Sequence, residues 1–121
     1  MSKKILIIDD ALDVIKILSF VLEKEGYEVL TSQDGVEGLE LILTHKPDVV
    51  LLDQHLPGKS GVDICKELKE IDEFKDTPIY FISGSERNEV DDMIIESGAL
   101  GSIPKPFDMD QIKQTISQAV K

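Results

Sequence analysis

The chain of 121 residues is long enough for one domain that buries most of its apolar surface and too short for two. Hydrophobic residues make up 41% and charged residues 31%, a globular balance that excludes a disordered chain, and the net charge of −11 repels nucleic acid phosphates and anionic lipid. No apolar run approaches the ~18 residues of a membrane span, and the single Cys65 excludes an internal disulfide and a cysteine zinc site.

Taken in chain order, apolar runs of strand length alternate with stretches of helical spacing. KILIID at 4–9 reads as a first strand, followed by a helix from Leu12 to Glu25 that Gly26 can stop. YEVLTS at 27–32 and a helix from Val36 to His45 form a second unit. DVVLLD at 48–53 leads to a helix from Gly61 to Ile71, where Ser60 and Asp63 have capping-box spacing. TPIYFIS at 77–83 precedes a helix from Arg87 to Ser97, and the weaker ALGSIP at 99–104 precedes one from Asp108 to Val120, with Asp108 and Gln111 again spaced as a cap. Cys65 reads as a buried thiol on the third helix.

The order is (βα)₅ in a single domain over residues 1–121. The first and third strands are apolar nearly throughout, as expected when helices cover both faces of a parallel sheet. Right-handed crossovers then give a doubly wound α/β fold, and a (β/α)₈ barrel would need about twice this length. What remains is the flavodoxin-like five-stranded sheet with strand order 2-1-3-4-5. Its first and third strands are neighbours whose helices leave toward opposite faces, opening a crevice at their carboxyl ends.

Asp9 and Asp10 close the first strand and Asp53 the third, so this topology brings three carboxylates to the crevice. Like charges so close raise one another's pKa or recruit a cation, and three oxygen ligands suit Mg²⁺ completed by water. Taken singly, each has a plainer reading; Asp10, for example, could N-cap the following helix. Lys105 follows the fifth strand between Pro104 and Pro106, which restrict the local backbone. Ser83 ends the fourth strand before Gly84, and its hydroxyl can reach the same crevice, although Ser-Gly is also turn chemistry.

With ILIIDD, DVVLLDQHLPGKSG, the Ser-Gly after YFI, and KPF in this order, the chain from Lys4 through Lys121 resembles the CheY-like receiver domains of bacterial response regulators. That resemblance implies a phosphoacceptor of a two-component phosphorelay, a signalling switch that assists only its own phosphorylation and dephosphorylation. Asp53 would be the nucleophile, with Asp9, Asp10, Asp53 and the His55 backbone carbonyl holding Mg²⁺, or Mn²⁺ in its place. Lys105 and Ser83 would contact the phosphoryl oxygens beside Gly84, and Pro106 is the candidate for a cis peptide bond. The chemistry is consistent, because a carboxylate can attack phosphorus when cations neutralise the accumulating charge.

The implied partners are a sensor histidine kinase or a histidine phosphotransfer protein upstream and an unidentified protein downstream. Neither direct nucleic acid binding nor membrane insertion is expected, the location reads as cytoplasmic, and the protein would be a monomer or a phosphorylation-linked dimer. Leu12, Val14, Ile15, Ile17, Leu18, Phe20, Val21 and Leu22 exceed what one core-facing stripe holds. Exposed members such as Leu12 or Val14 would then form the docking contact, unless they pack against the fifth helix.

Two positions depart from the family pattern. Receivers often carry Tyr or Phe three residues before the lysine, where this chain has Ser102, so the switch is expected to run through Ser83 and the loop (Gly84 to Asn88) and helix after it, or through dimerisation, rather than through a rotating ring. His55 lies two residues beyond the acceptor and either faces solvent or tunes the lifetime of the phosphorylated state. Gly58, Lys59 and Ser60 spell the end of a phosphate-binding loop, but its first glycine would fall on Asp53. A degenerate receiver acting as a constitutive interaction module is the rival reading, and the intact acidic pair, acceptor and lysine weigh against it. The start at Met1 looks native, and the end at Lys121 fits a stand-alone protein or a receiver cut from a longer regulator.

Overall fold

Strand and helix alternate strictly in the computed structural model, which describes residues 2–84 and 87–120, without the side chains of residues 87 and 88. The elements are β1 (Lys4–Ile8), α1 (Leu12–Lys24), β2 (Glu28–Ser32), α2 (Gly35–His45), β3 (Val49–Asp53), α3 (Gly61–Lys69), β4 (Ile79–Ser83), α4 (Arg87–Ser97), β5 (Gly101–Pro104) and α5 (Met109–Ala119). The strands pair in parallel in the order β2-β1-β3-β4-β5, as the sequence predicts.

The period of two along each strand divides the core into two layers. Leu6, Ile8, Val50, Leu52 and Phe81 pack against Ile42 of α2, Ile64 and Leu68 of α3, and Val90 and Met93 of α4. Ile5, Ile7, Val49, Leu51 and Ile82 point the other way, onto Leu18 and Leu22 of α1 and Ile112 and Ile116 of α5. β1 and β3 therefore bury both faces, which is why their sequences lack polar alternation. Cys65 is buried in the first layer, and burial pushes its thiol pKa up. Among the described residues no helix is long and apolar enough to cross a membrane.

Val14 corrects one expectation. It is only 7% exposed, because with Leu18, Val21 and Leu22 it forms the stripe of α1 that faces the sheet. Leu12, Ile17 and Phe20 lie off that stripe and remain exposed, with Lys24 placing its ammonium 4.6 Å from the Phe20 ring centroid.

Among the described residues, side-chain caps begin three helices: Asp34 accepts from the N–H groups of Val36 and Glu37, Ser60 from Asp63, and Asp108 from Asp110 and Gln111. α1 has none. Its N-cap is Ala11, so the plainer capping role of Asp10 does not hold. Asp108 lies far along the chain from the acidic residues, and Asp108→Ala should cost about 1 kcal/mol. Urea unfolding is expected to show a lower midpoint with an unchanged slope.

Candidate functional site

Register places the acidic residues. Ile8 pairs with Leu52 across β1 and β3, so Asp9 and Asp53 leave the sheet at the same carboxyl edge, with Asp10 beside them. Asp9, Asp10 and Asp53 each offer a carboxylate oxygen, and these oxygens lie within 4.8 Å of one another. They differ in environment, Asp9 being buried, Asp53 half-buried and Asp10 exposed.

Asp9 is held on one side only. Its Oδ1 accepts the Ala11 N–H at 2.9 Å, whereas its Oδ2 is buried without a hydrogen-bond partner. Burial raises its carboxyl pKa, the Asp53 and Asp10 charges add to the rise, and the Ala11 N–H and Lys105 oppose it. Asp53 is likewise raised by burial and by Asp10, against Lys105 and the N–H groups of Gln54 and His55. A buried carboxylate with one oxygen lacking a donor, grouped with two other carboxylates, suits a hard divalent cation, and Mg²⁺ fits it.

A crevice of about 290 Å³ opens beside the cluster, lined by Asp53, Gln54, His55, Ser83, Gly84 and Lys105. Parallel pairing of β4 with β5 brings Ser83 opposite Pro104, and the Lys105 N–H donates to the Ser83 carbonyl at 2.9 Å. The Lys105–Pro106 peptide is cis. Lys105 is exposed, with its ammonium charge felt at both Asp9 and Asp53. His55 is exposed on the crevice wall, its Nε2 2.7 Å from the Gln54 Nε2.

Ser102 leaves space where an aromatic ring would stand. A cavity of about 510 Å³ lies there between α4, β5 and α5, walled by Ser83, Val90, Ile94, Ser102 and Gln111 among others. Ser83 thus borders both this cavity and the acidic crevice. Of the Gly84 to Asn88 loop, residues 85 and 86 and the side chains of 87 and 88 fall outside the described residues, and with them the expectation that this loop carries the switch.

Other features of the site had no clear sequence signal. Ile17 and Met109 join Val14, Pro106 and Phe107 around an apolar hollow of about 420 Å³ that reaches Lys105. Only their position off the core stripes could have pointed to it. Gln33 donates to the Asp10 carbonyl at 3.2 Å, a contact between distant segments that no local pattern announces.

Fold and site together define a class. Residues 5–117 match the family model of the response regulator receiver domain, and the chain belongs to that family: it is a receiver domain of two-component signalling, a class of switches rather than conventional enzymes. It is 39% identical over 121 residues to sporulation initiation phosphotransferase F of Bacillus subtilis (strain 168), covering 98% of this chain and 94% of that protein. Among solved structures, chemotaxis protein CheY4 of Vibrio cholerae superposes with a TM-score of 0.90 at 28% identity, covering 98% of this chain and 99% of that one. The receiver domain of NtrX from Brucella abortus gives 0.86 at 30% identity, covering 96% and 97%.

Proposed function

We propose that this chain accepts a phosphoryl group on Asp53 from the phosphohistidine of a sensor kinase or histidine phosphotransfer protein, with Mg²⁺ assisting. The observation that carries this reading is the convergence of Asp9, Asp10 and Asp53 within 4.8 Å, next to a crevice that Lys105 also lines. The name phosphotransferase, printed for the Bacillus subtilis relative, agrees with a transfer role.

In the proposed step an Asp53 carboxylate oxygen attacks phosphorus, forming an acyl phosphate. The P–N bond to the donor imidazole breaks, and its electron pair stays on that nitrogen. Lys105 supplies a compact positive charge to the phosphoryl oxygens, and the Ser83 hydroxyl donates to one of them. Asp9, Asp10, Asp53 and the His55 carbonyl would hold Mg²⁺, or Mn²⁺ in its place. When bound, the metal neutralises charge on the phosphoryl oxygens.

Exposed Leu12 and Ile17, beside the hollow that reaches Lys105, offer the docking contact for the donor's helices. Phosphorylation replaces the single negative charge of the Asp53 carboxylate with a phosphoryl group that carries about −1.5 to −2 at the crevice. Ser83, which borders the Ser102 cavity as well, would pass that change to α4 and β5, where a downstream protein reads it. A phosphorelay of this kind operates in the cytoplasm.

Incubation with acetyl phosphate and Mg²⁺ is expected to add one phosphoryl group that hydroxylamine removes. Asp53→Asn should reduce that labelling to background. Equal labelling of the variant would end the reading.

A further inference from the structure

The turn between β2 and α2 touches both acid-bearing loops. The Asp9 N–H donates to the Ser32 carbonyl at 3.0 Å, Gln33 Nε2 donates to the Asp10 carbonyl at 3.2 Å, and the Gly35 N–H donates to the Pro57 carbonyl at 2.9 Å. Residues 32–35 therefore bridge the loop after β1 to the loop after β3. The bracket is itself braced, because the Ser32 hydroxyl donates to the Asp34 carbonyl at 3.0 Å and Asp34 caps α2.

Asp10 depends on this bracket more than its neighbours do. Asp9 is fixed by burial and by the Ala11 N–H, and Asp53 belongs to a central strand. Asp10 is exposed and lies between the end of β1 and the N-cap Ala11, whose own carbonyl takes the Ile15 N–H. The Asp10 carbonyl thus precedes the helix and takes no bond from its ladder. Gln33 meets it from the β2–α2 turn with its Nε2 as the donor, because a carbonyl accepts only from the amide nitrogen.

We propose that Gln33 is a positioning residue for the metal centre: by tethering the Asp10 peptide it keeps that carboxylate beside those of Asp9 and Asp53, and so sets Mg²⁺ affinity. This rests on the Mg²⁺ site described above. The tether opposes the mutual repulsion of three carboxylates, which pushes the most exposed of them outward when no cation is bound. Outer partners of ligand groups commonly tune metal affinity in this way. Gln33 does not line the crevice that the phosphoryl group would enter, so binding and transfer should separate.

The test compares wild type, Gln33→Met, which keeps the length and loses the donor, and Gln33→Ala. Calorimetric Mg²⁺ titration of the metal-free proteins should show both variants binding roughly three- to tenfold more weakly. The Mg²⁺ concentration for half-maximal labelling by acetyl phosphate should rise by the same factor, while the rate at saturating Mg²⁺ and the urea midpoint without metal stay unchanged. Unaltered Mg²⁺ affinity in both variants overturns the proposal, as does a slower saturated rate with unaltered affinity. Wild type that fails to bind Mg²⁺ overturns the metal centre itself, and the tether with it.

Discussion

Gly61→Ala is expected to destabilise the fold by about 3 kcal/mol, at the upper end for forcing extra volume into a packed site. A β-carbon built on Gly61 would stand 2.3 Å from the Asp53 carbonyl oxygen and 3.1 Å from the Asp53 carbonyl carbon and the Gln54 α-carbon. All three are backbone atoms at the end of a central strand, so no side-chain rotation can make room. The Gly61 N–H also donates to the Gln54 carbonyl at 3.1 Å, which seats the first turn of α3 directly on the segment that follows Asp53.

Relief can come only from moving α3 away or from displacing Asp53, and either route damages more than stability. The Asp53 carboxylate would leave the position it shares with Asp9 and Asp10, so Mg²⁺ binding should weaken along with the fold. Gly84→Ala provides the contrast, because among the described residues a β-carbon there meets nothing nearer than the Lys105 δ-carbon at 4.0 Å. Its urea midpoint should stay close to wild type, since such sites usually change stability by less than about 0.5 kcal/mol. A Gly61→Ala protein as stable as Gly84→Ala would show that the β3–α3 loop yields freely.

Gly61 also marks where the sequence stops being readable. The residue belongs to the motif run after Asp53, yet its reason is a close approach of two backbones that no local pattern reveals. The features legible from the chain were local or periodic ones. Unbroken apolar runs gave away the doubly covered β1 and β3, and side-chain oxygens three residues before a helical N–H gave away the Ser60 and Asp108 caps. Because topology follows from the alternation of elements, the meeting of Asp9, Asp10 and Asp53 could be inferred without coordinates.

What escaped depends on rotation about a helix axis or on contacts between distant segments. The apolar surplus of α1 was visible, but which members face the sheet was not, so Val14 and Leu12 looked alike until the packing separated them. The third helix was expected to run to Ile71 and ends at Lys69, because the chain then coils through successive turns, Phe74 N–H to the Ile71 carbonyl and Thr77 N–H to the Phe74 carbonyl. The Gln33 tether to Asp10 is a meeting of two loops and leaves no trace in either.

Asp9→Asn should invert the stability order of the protein according to whether Mg²⁺ is present. Without metal, Asp9 and Asp53 both have pKa values raised above 3.8 by burial, so the folded state binds protons more readily than the unfolded state. Wild-type stability therefore increases as pH falls from neutrality through the raised values, and the penalty of the buried charges is fully present above them. Asn at position 9 removes one of those charges and can direct an amide N–H at the neighbouring carboxylates while its oxygen keeps the Ala11 N–H. The metal-free variant should consequently be the more stable protein at neutral pH, with the difference shrinking as pH approaches 4.

Mg²⁺ reverses this by mass action, since a ligand at a hundred times its Kd stabilises the folded state by about 2.7 kcal/mol. Wild type should take most of that gain, and Asp9→Asn, lacking the buried anionic ligand, little of it. Protons compete with the cation for the same oxygens, so the gain should fade as the solution is acidified. Thermal unfolding at neutral and mildly acidic pH, with EDTA and with Mg²⁺, reads all three effects. Equal stabilisation of both proteins by Mg²⁺ would place the cation somewhere other than these carboxylates.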